Sequence, residues 1–423
     1  MICRAVRRIS EINETGDLNN EKSIFAFSLS MLPLAVLIAT TGTASATGYF
    51  EARNSAMGGT GVASSHYGAA ALANPALITH YGEKDKFSLI LPSVGVQVSD
   101  PDHLQDGVDG VRDAWERYDD ALSAGTVTGS DAQVLKDQLL KFRNTGATVQ
   151  AGAGIVATVP NNVVPFAVMV KTWGTASVNG NVSDHDLKYL DDVIAGKITP
   201  SEADKDALTS KARGRAAVVT DVGVALARTF ESSGFKYSVG VTPKWQRVDT
   251  FNYNVTVKDY DRSDFDGDQY RNTTTGFNAD MGFAAELDNN WTLGLAVQNI
   301  VPRSIDTREV NGLKETFKIR PQATAGVSWH NNLFTAAADV DLTPGSSFNG
   351  DTHPQFARVG GEFNAWSWAQ VRAGYQQSLD HNEGSAFTAG IGISPFDVVH
   401  LDLTGLVGTD RTYGAVAQLS VTF

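Results

Sequence analysis

From residue 86 onward the chain divides into fourteen strand-length segments in which apolar and polar residues alternate, and few folds accept such a pattern. The segments span about 86–98, 145–159, 165–178, 216–230, 235–249, 277–287, 291–301, 321–330, 333–343, 355–366, 368–379, 386–396, 398–407 and 412–423. Most are long enough for a tilted strand to cross a bilayer, which takes about 9–11 residues. The connections fall into two kinds. Pro160-Asn161-Asn162, Glu231-Ser232-Ser233-Gly234, Asp288-Asn289-Asn290 and His330-Asn331-Asn332 are tight turns after even-numbered segments. Links after the odd ones are mostly longer, at about 99–144, 179–215, 250–276, 302–320 and 344–354. An even number of antiparallel strands with short turns at one end and long loops at the other describes a transmembrane β-barrel, its short turns facing the periplasm.

The two faces of each segment agree with that reading. In the last, Tyr413, Ala415, Ala417, Leu419, Val421 and Phe423 share one face, opposite Thr412, Gln418, Ser420 and Thr422. One face suits lipid and the other a polar lumen. Trp245, Trp291, Trp329, Trp366, Trp368 and Phe423 fall near segment ends, as interfacial aromatic girdles require. The mean hydropathy of −0.15 is no objection, because alternation hides a barrel's apolar face from averaging scales. Past residue 46 no run approaches the ~20 apolar residues of a membrane helix.

The N-terminus points to export. Arg4, Arg7, Arg8 and Lys22 precede an apolar run from Ile24 to Ala39, closed by Ala44-Ser45-Ala46. That order is a secretory signal peptide over 1–46, cleaved after Ala46. The single cysteine, Cys3, lies within it, so the mature chain carries no disulfide or thiol chemistry. The net charge of −13 makes nucleic acid an unsuitable partner, since phosphate binding needs a basic surface.

Residues 48–82 combine Ala56-Met57-Gly58-Gly59-Thr60-Gly61, Ala69-Ala70-Ala71 and Asn74-Pro75-Ala76-Leu77-Ile78-Thr79. Gly and Ala permit close backbone packing, and Asn-Pro fixes a turn. These pieces resemble the N-terminal hatch of FadL-like outer-membrane transporters, and the long helical loops resemble the barrel family called conjugal-transfer protein TraF. The resemblance implies an all-β fold, a fourteen-stranded antiparallel transmembrane barrel with a hatch in its lumen and two helical extracellular loops. It divides the chain into the signal peptide, a hatch over 47–85 and a barrel over 86–423, with helical insertions at about 99–144 and 179–215. Gating is expected at Asn74, Pro75, Ala76, Gly58, Gly59 and Gly61. The C-terminal face formed by Tyr413, Leu419, Val421 and Phe423 resembles the signal read by the barrel-assembly machinery.

The helical insertions have their own signals. Val111, Ala114, Trp115, Tyr118 and Leu122 recur at helical spacing, and Thr199-Pro200-Ser201-Glu202 reads as a capping box starting a helix. Charges expected on lumen faces are Lys244, Asp280, Glu286, Asp339, Arg358, Glu362, Arg372 and Asp402. No nucleophile, zinc or phosphate-loop motif occurs, so no enzyme activity and no cofactor are expected. Asp264, Asp266 and Asp268 form an acidic loop with the wrong glycine placement for a calcium loop, and no metal is expected beyond a weak divalent candidate there. Two functions follow. One is an outer-membrane channel for passive uptake of hydrophobic small molecules. The alternative is a structural outer-membrane barrel that anchors or assists a conjugation or secretion apparatus. Outer-membrane lipid, lipopolysaccharide, a hydrophobic ligand and the barrel-assembly machinery are the expected partners. An apolar groove formed by the helical loops would favour transport, and a polar cap would favour anchoring.

Overall fold

A computed structural model describes residues 50–423 except 144, 233–234, 257–266, 288–289, 352, 367, 381–383, 396–397 and 410. Fourteen strands close into one antiparallel barrel. In chain order they are β1 (Ser88–Ser99), β2 (Gly146–Val159), β3 (Phe166–Asn181), β4 (Lys211–Ser232), β5 (Phe235–Thr256), β6 (Arg271–Glu286) and β7 (Trp291–Gln298). Then follow β10 (Gln322–His330), β11 (Phe334–Asp341), β13 (Phe356–Trp366), β14 (Ala369–Ser378), β15 (Ala386–Ile393), β16 (Val399–Gly408) and β17 (Thr412–Thr422). β8 (Arg303–Asp306), β9 (Thr316–Ile319) and β12 (Ser347–Phe348) lie outside the barrel wall. Closure pairs β1 with β17, Leu89 opposite Val421 and Val98 opposite Tyr413. Closure leaves no unpaired edge, the condition under which a sheet can sit in lipid.

The expected alternation is realised. Along β4, Val222, Val224 and Leu226 are exposed on the outer face while Asp221 and Ala225 are buried inside. Along β16, Leu401 and Leu403 face out, and Asp402 and Thr404 face in. No described helix is long and apolar enough to cross a membrane.

Three features differ from the sequence expectation. First, β4 and β5 each run 22 residues, about twice a bilayer crossing, so Trp245 lies mid-strand rather than at an end. Second, β8, β9 and β12 form a three-stranded sheet within links read as plain loops. Its Ile305, Phe317, Ile319 and Phe348 pack on Trp173, Val219 and Val248 of the wall. Asn252 and Asn254, on the same inward phase of β5, donate to Arg308, Leu313 and Val310 carbonyls. The sheet therefore folds into the long-loop end of the lumen. Strands of two to four residues show too little alternation to be read as such. Third, helix capping is placed differently. Glu202–Asp206 starts with a reciprocal pair made by Ser201 and Asp204, not by Thr199 and Glu202. Pro200, which has no N–H, lies just before that pair.

The two long insertions are helical, with α3 (Leu104–Ser123) and α4 (Gly129–Phe142) in one and α5 (Asp184–Ile194) in the other. A capping box of Thr128 and Asp131 opens α4. Val111, Tyr118, Leu135, Leu139, Leu190 and Val193 meet in one buried cluster, joined by Phe142. Of the large apolar side chains in these helices only Leu140 is markedly exposed among the described residues.

Candidate functional site: the plugged lumen

The segment from Phe50 to Thr79 contacts inward-facing residues around the wall and so lies within the lumen. It contains α1 (Ala52–Ala56), α2 (Ala70–Ala73) and a 3-10 turn over Pro75–Thr79. Short helices joined by turns are what a Gly/Ala-rich sequence with Asn-Pro permits in so narrow a space.

Hydrogen bonds from the wall hold this plug at many points. Gly61 and Val62 donate their N–H groups to Asp339 Oδ2 at 2.8 and 3.0 Å. Asn74, fully buried, donates to the carbonyls of Val62 (2.7 Å) and Phe283 (3.0 Å), and its Oδ1 caps the turn by accepting from Ala76. Thr388 Oγ1 donates to the Ala56 carbonyl and accepts from Gly58 N–H. Thr404 and Ser328 donate to the Ala52 and Ala63 carbonyls. Gly58 and Gly59 adopt φ of 74° and 85°, a conformation other residues reach only with strain. Burial lifts the Glu51 carboxyl above its ordinary range, although it caps α1 by accepting from Asn54 N–H.

Every expected lumen charge that is described lies inside or at the rim. Lys244 pairs with Asp280 (2.8 Å) and Asp221 (3.1 Å), and Lys171 stands 3.8 Å from Asp221. Arg358 makes a two-pronged contact with Asp341 at 2.8 Å. Glu362 accepts from Arg53 of the plug at 2.8 Å and from Arg372 at 2.7 Å, and Arg372 continues to Asp402. Glu286 is the exception, sitting half-exposed at the strand end with Lys236 (3.0 Å) and His80 (3.2 Å). Buried ions are tolerated only when paired and hydrogen-bonded in this manner. Tyr413 and Leu419 face outward, and the Phe423 backbone pairs with Phe87 across the barrel seam. Asp264 and Asp266 lie outside the described residues; Asp268 sits in a turn before β6.

Sequence reading missed Lys171, Asp221, Asp341 and Arg53, and it missed the role of the wall glycines. At Gly282 a Cβ would come 2.0 Å from Asn74 Oδ1, at Gly294 2.2 Å from the Val62 carbonyl, and at Gly374 2.1 Å from Gly58 N. Gly240 and Gly360 press equally on Pro75 and Met57. Glycines on the inward phase of neighbouring strands, Gly240 opposite Gly282 and Gly360 opposite Gly374, are the signal that would have found this belt.

Two cavities flank α1. One of about 270 Å³ is lined by Arg53, His66, Asn364, Gln370, His400 and Asp402, among others. A smaller one of about 20 Å³ lies between Phe50, Asn54 and Ser55 of the plug and Gln97, Gln376 and Thr404 of the wall.

The architecture has solved counterparts. The toluene transporter TbuX of Ralstonia pickettii matches with a TM-score of 0.52 at 14% identity, covering 89% of this chain and 99% of that one. The toluene transporter TodX of Pseudomonas putida matches with a TM-score of 0.50 at 11% identity, covering 88% and 96%. At such identities the likeness shows the fold. No curated protein sequence matches the chain. The family model described as "F plasmid transfer operon, TraF, protein" matches residues 71–341, more than half of the sequence. The chain therefore belongs to that TraF family and has the barrel fold of these two transporters.

Proposed function

We propose that the protein is an outer-membrane channel for passive uptake of small hydrophobic molecules, with residues 50–79 as its gate. The observation that carries this reading is the separate plug. Fourteen strands enclose a lumen wider than wall side chains alone fill, and a segment of the chain held to the wall by non-covalent contacts fills it. A passage closed by hydrogen bonds and small-residue contacts can reopen without breaking the barrel. Gly58, Gly59, Gly61 and Asn74-Pro75-Ala76 are the points where plug backbone meets wall, and rearrangement there opens the path. The solved barrels of the same fold are described as toluene transporters, which supports a hydrophobic cargo. Export by the signal peptide, the outer-membrane location, and contact with lipid and lipopolysaccharide follow from the same reading.

A second reading is favoured by one specific observation. The helices of the long insertions bury their apolar faces against each other and offer a polar exterior, which suits a scaffold for a conjugation or secretion apparatus. Mass spectrometry of organic extracts from the folded, detergent-purified protein separates the two. A stoichiometric hydrophobic compound absent from a control barrel is expected. Extracts holding only bulk phospholipid would overturn the channel reading in favour of the scaffold.

A further inference from the structure

The two halves of the plug meet the wall through different chemistry. Residues 69–78 form a dry seal, with Leu72, Leu77 and Ile78 packed on Val156, Met169 and Ala225. Residues 50–59 instead meet polar side chains of β13–β17 and β1, apart from Phe50 and Ala52 on Val416, and both cavities border them, the larger one also reaching Ala69 and Ile90 at the edge of the seal. The smaller cavity carries a second sign of hydration. Gln97 Nε2 and Asn54 Oδ1 belong to residues that are 3% and 2% exposed, and neither atom has a hydrogen-bond partner in the protein. Both residues line that cavity, whose size suits about one water molecule, and an orphaned donor and acceptor are the partners a water there would need.

We infer that the plug is hydrated along this one side, forming a polar seam between α1 and strands β13–β17 and β1 that admits water and small hydrophilic solutes. This rests on the reading of the barrel as a membrane passage but not on its hydrophobic cargo. The five-residue α1 is the septum between the two cavities. Its side-chain fastenings to the wall are Thr404 on the Ala52 carbonyl, Gln418 on the Ala52 N–H, Thr388 on the Ala56 carbonyl, and the chain Arg53–Glu362–Arg372–Asp402. Arg53 is the link that joins plug to wall in that chain, so it acts as the latch. The dry half anchors the plug while α1 shifts.

Cysteine accessibility tests the inference in the full chain carrying Cys3→Ser. Ser55→Cys sits in the seam and Ala71→Cys in the dry seal. With a charged, hydrophilic methanethiosulfonate as probe, folded Ser55→Cys should react at least about tenfold faster than Ala71→Cys, since only the seam opens to water without local unfolding. Adding Arg53→Ala should raise the Ser55→Cys rate and the KCl conductance of planar phospholipid bilayers several-fold. Glu362→Gln, which keeps a hydrogen-bonding side chain, should do the same more weakly. Each variant is first checked for a folded barrel by gel mobility. Equal rates at the two cysteines, or no response to either latch variant, would overturn the seam. Neither result depends on whether a hydrophobic ligand is found in extracts, so the two proposals fail separately.

Discussion

Single side chains decide how the irregular parts of this barrel are held. Asp186 of α5 is buried and accepts from the N–H groups of Thr209 (2.9 Å) and Ser210, tying the helix to the chain entering β4. Burial alone would raise its pKa, but the hydrogen bonds from Ser210, Thr209 and His185 outweigh it and hold the carboxyl below its ordinary value of 3.8. A depressed folded pKa contributes stability that is complete above the ordinary value and is lost as pH falls through the depressed one. The contact is thus at full strength at neutral pH. Asp186→Asn should weaken the helical insertion by about 1–3 kcal/mol, because it leaves donors facing a poorer acceptor. Hydrogen exchange at pH 7 checks this: protection should fall over 184–194 while the barrel amides keep theirs.

At the scale of elements, strand and plug are matched through the glycine belt. A methyl at Gly374 would lie 2.1 Å from Gly58 N and 2.3 Å from Met57 C, and both are backbone atoms with nowhere to move. Gly405 on the outer face of β16 meets nothing within 4 Å. Gly374→Ala should therefore destabilise the plugged state by about 1–3 kcal/mol, the usual cost of overpacking, and Gly405→Ala should be near neutral. Urea titration of plug and barrel reports the pair. Equal midpoints for the two variants would mean that the plug does not bear on the wall. The inturned sheet of β8, β9 and β12 shows the same dependence on context. Phe317 and Phe348 pack edge to face at 5.1 Å, yet in sequence they are isolated aromatics in polar links.

For the whole molecule, closure is the property that matters most. The wall is completed by pairing β1 with β17, residues more than 300 positions apart, so the barrel forms as one cooperative unit. Closure pairs each strand of such a ring with a neighbour on both sides, and detergent at room temperature has no free edge to attack. Unboiled protein should accordingly migrate differently from boiled protein on SDS gels. Identical migration would count against a closed barrel in the purified material.

The sequence by itself determined the fourteen strands of the wall and their facing, but not the small sheet of β8, β9 and β12. Alternation is a local property with a period of two, and turns of Asn, Ser and Gly mark where each hairpin reverses. It also marked residues 48–82, by their Gly/Ala pieces and Asn-Pro turn, as a segment apart from the strands, and placed most of the described lumen charges inside. Tertiary structure alone decided what those inward residues meet. Asp339 was legible as a lumen charge, but its bonds to Gly61 and Val62 N–H exist only because the plug docks there. Asp341 lies on the same inward phase and went unread, although both of its oxygens accept from the Arg358 guanidinium. The wall glycines looked like ordinary small residues until the plug backbone was placed against them. Local periodicity encodes which way a side chain points. What it touches across a lumen depends on register and closure summed over all fourteen strands, and no short window of sequence contains that information.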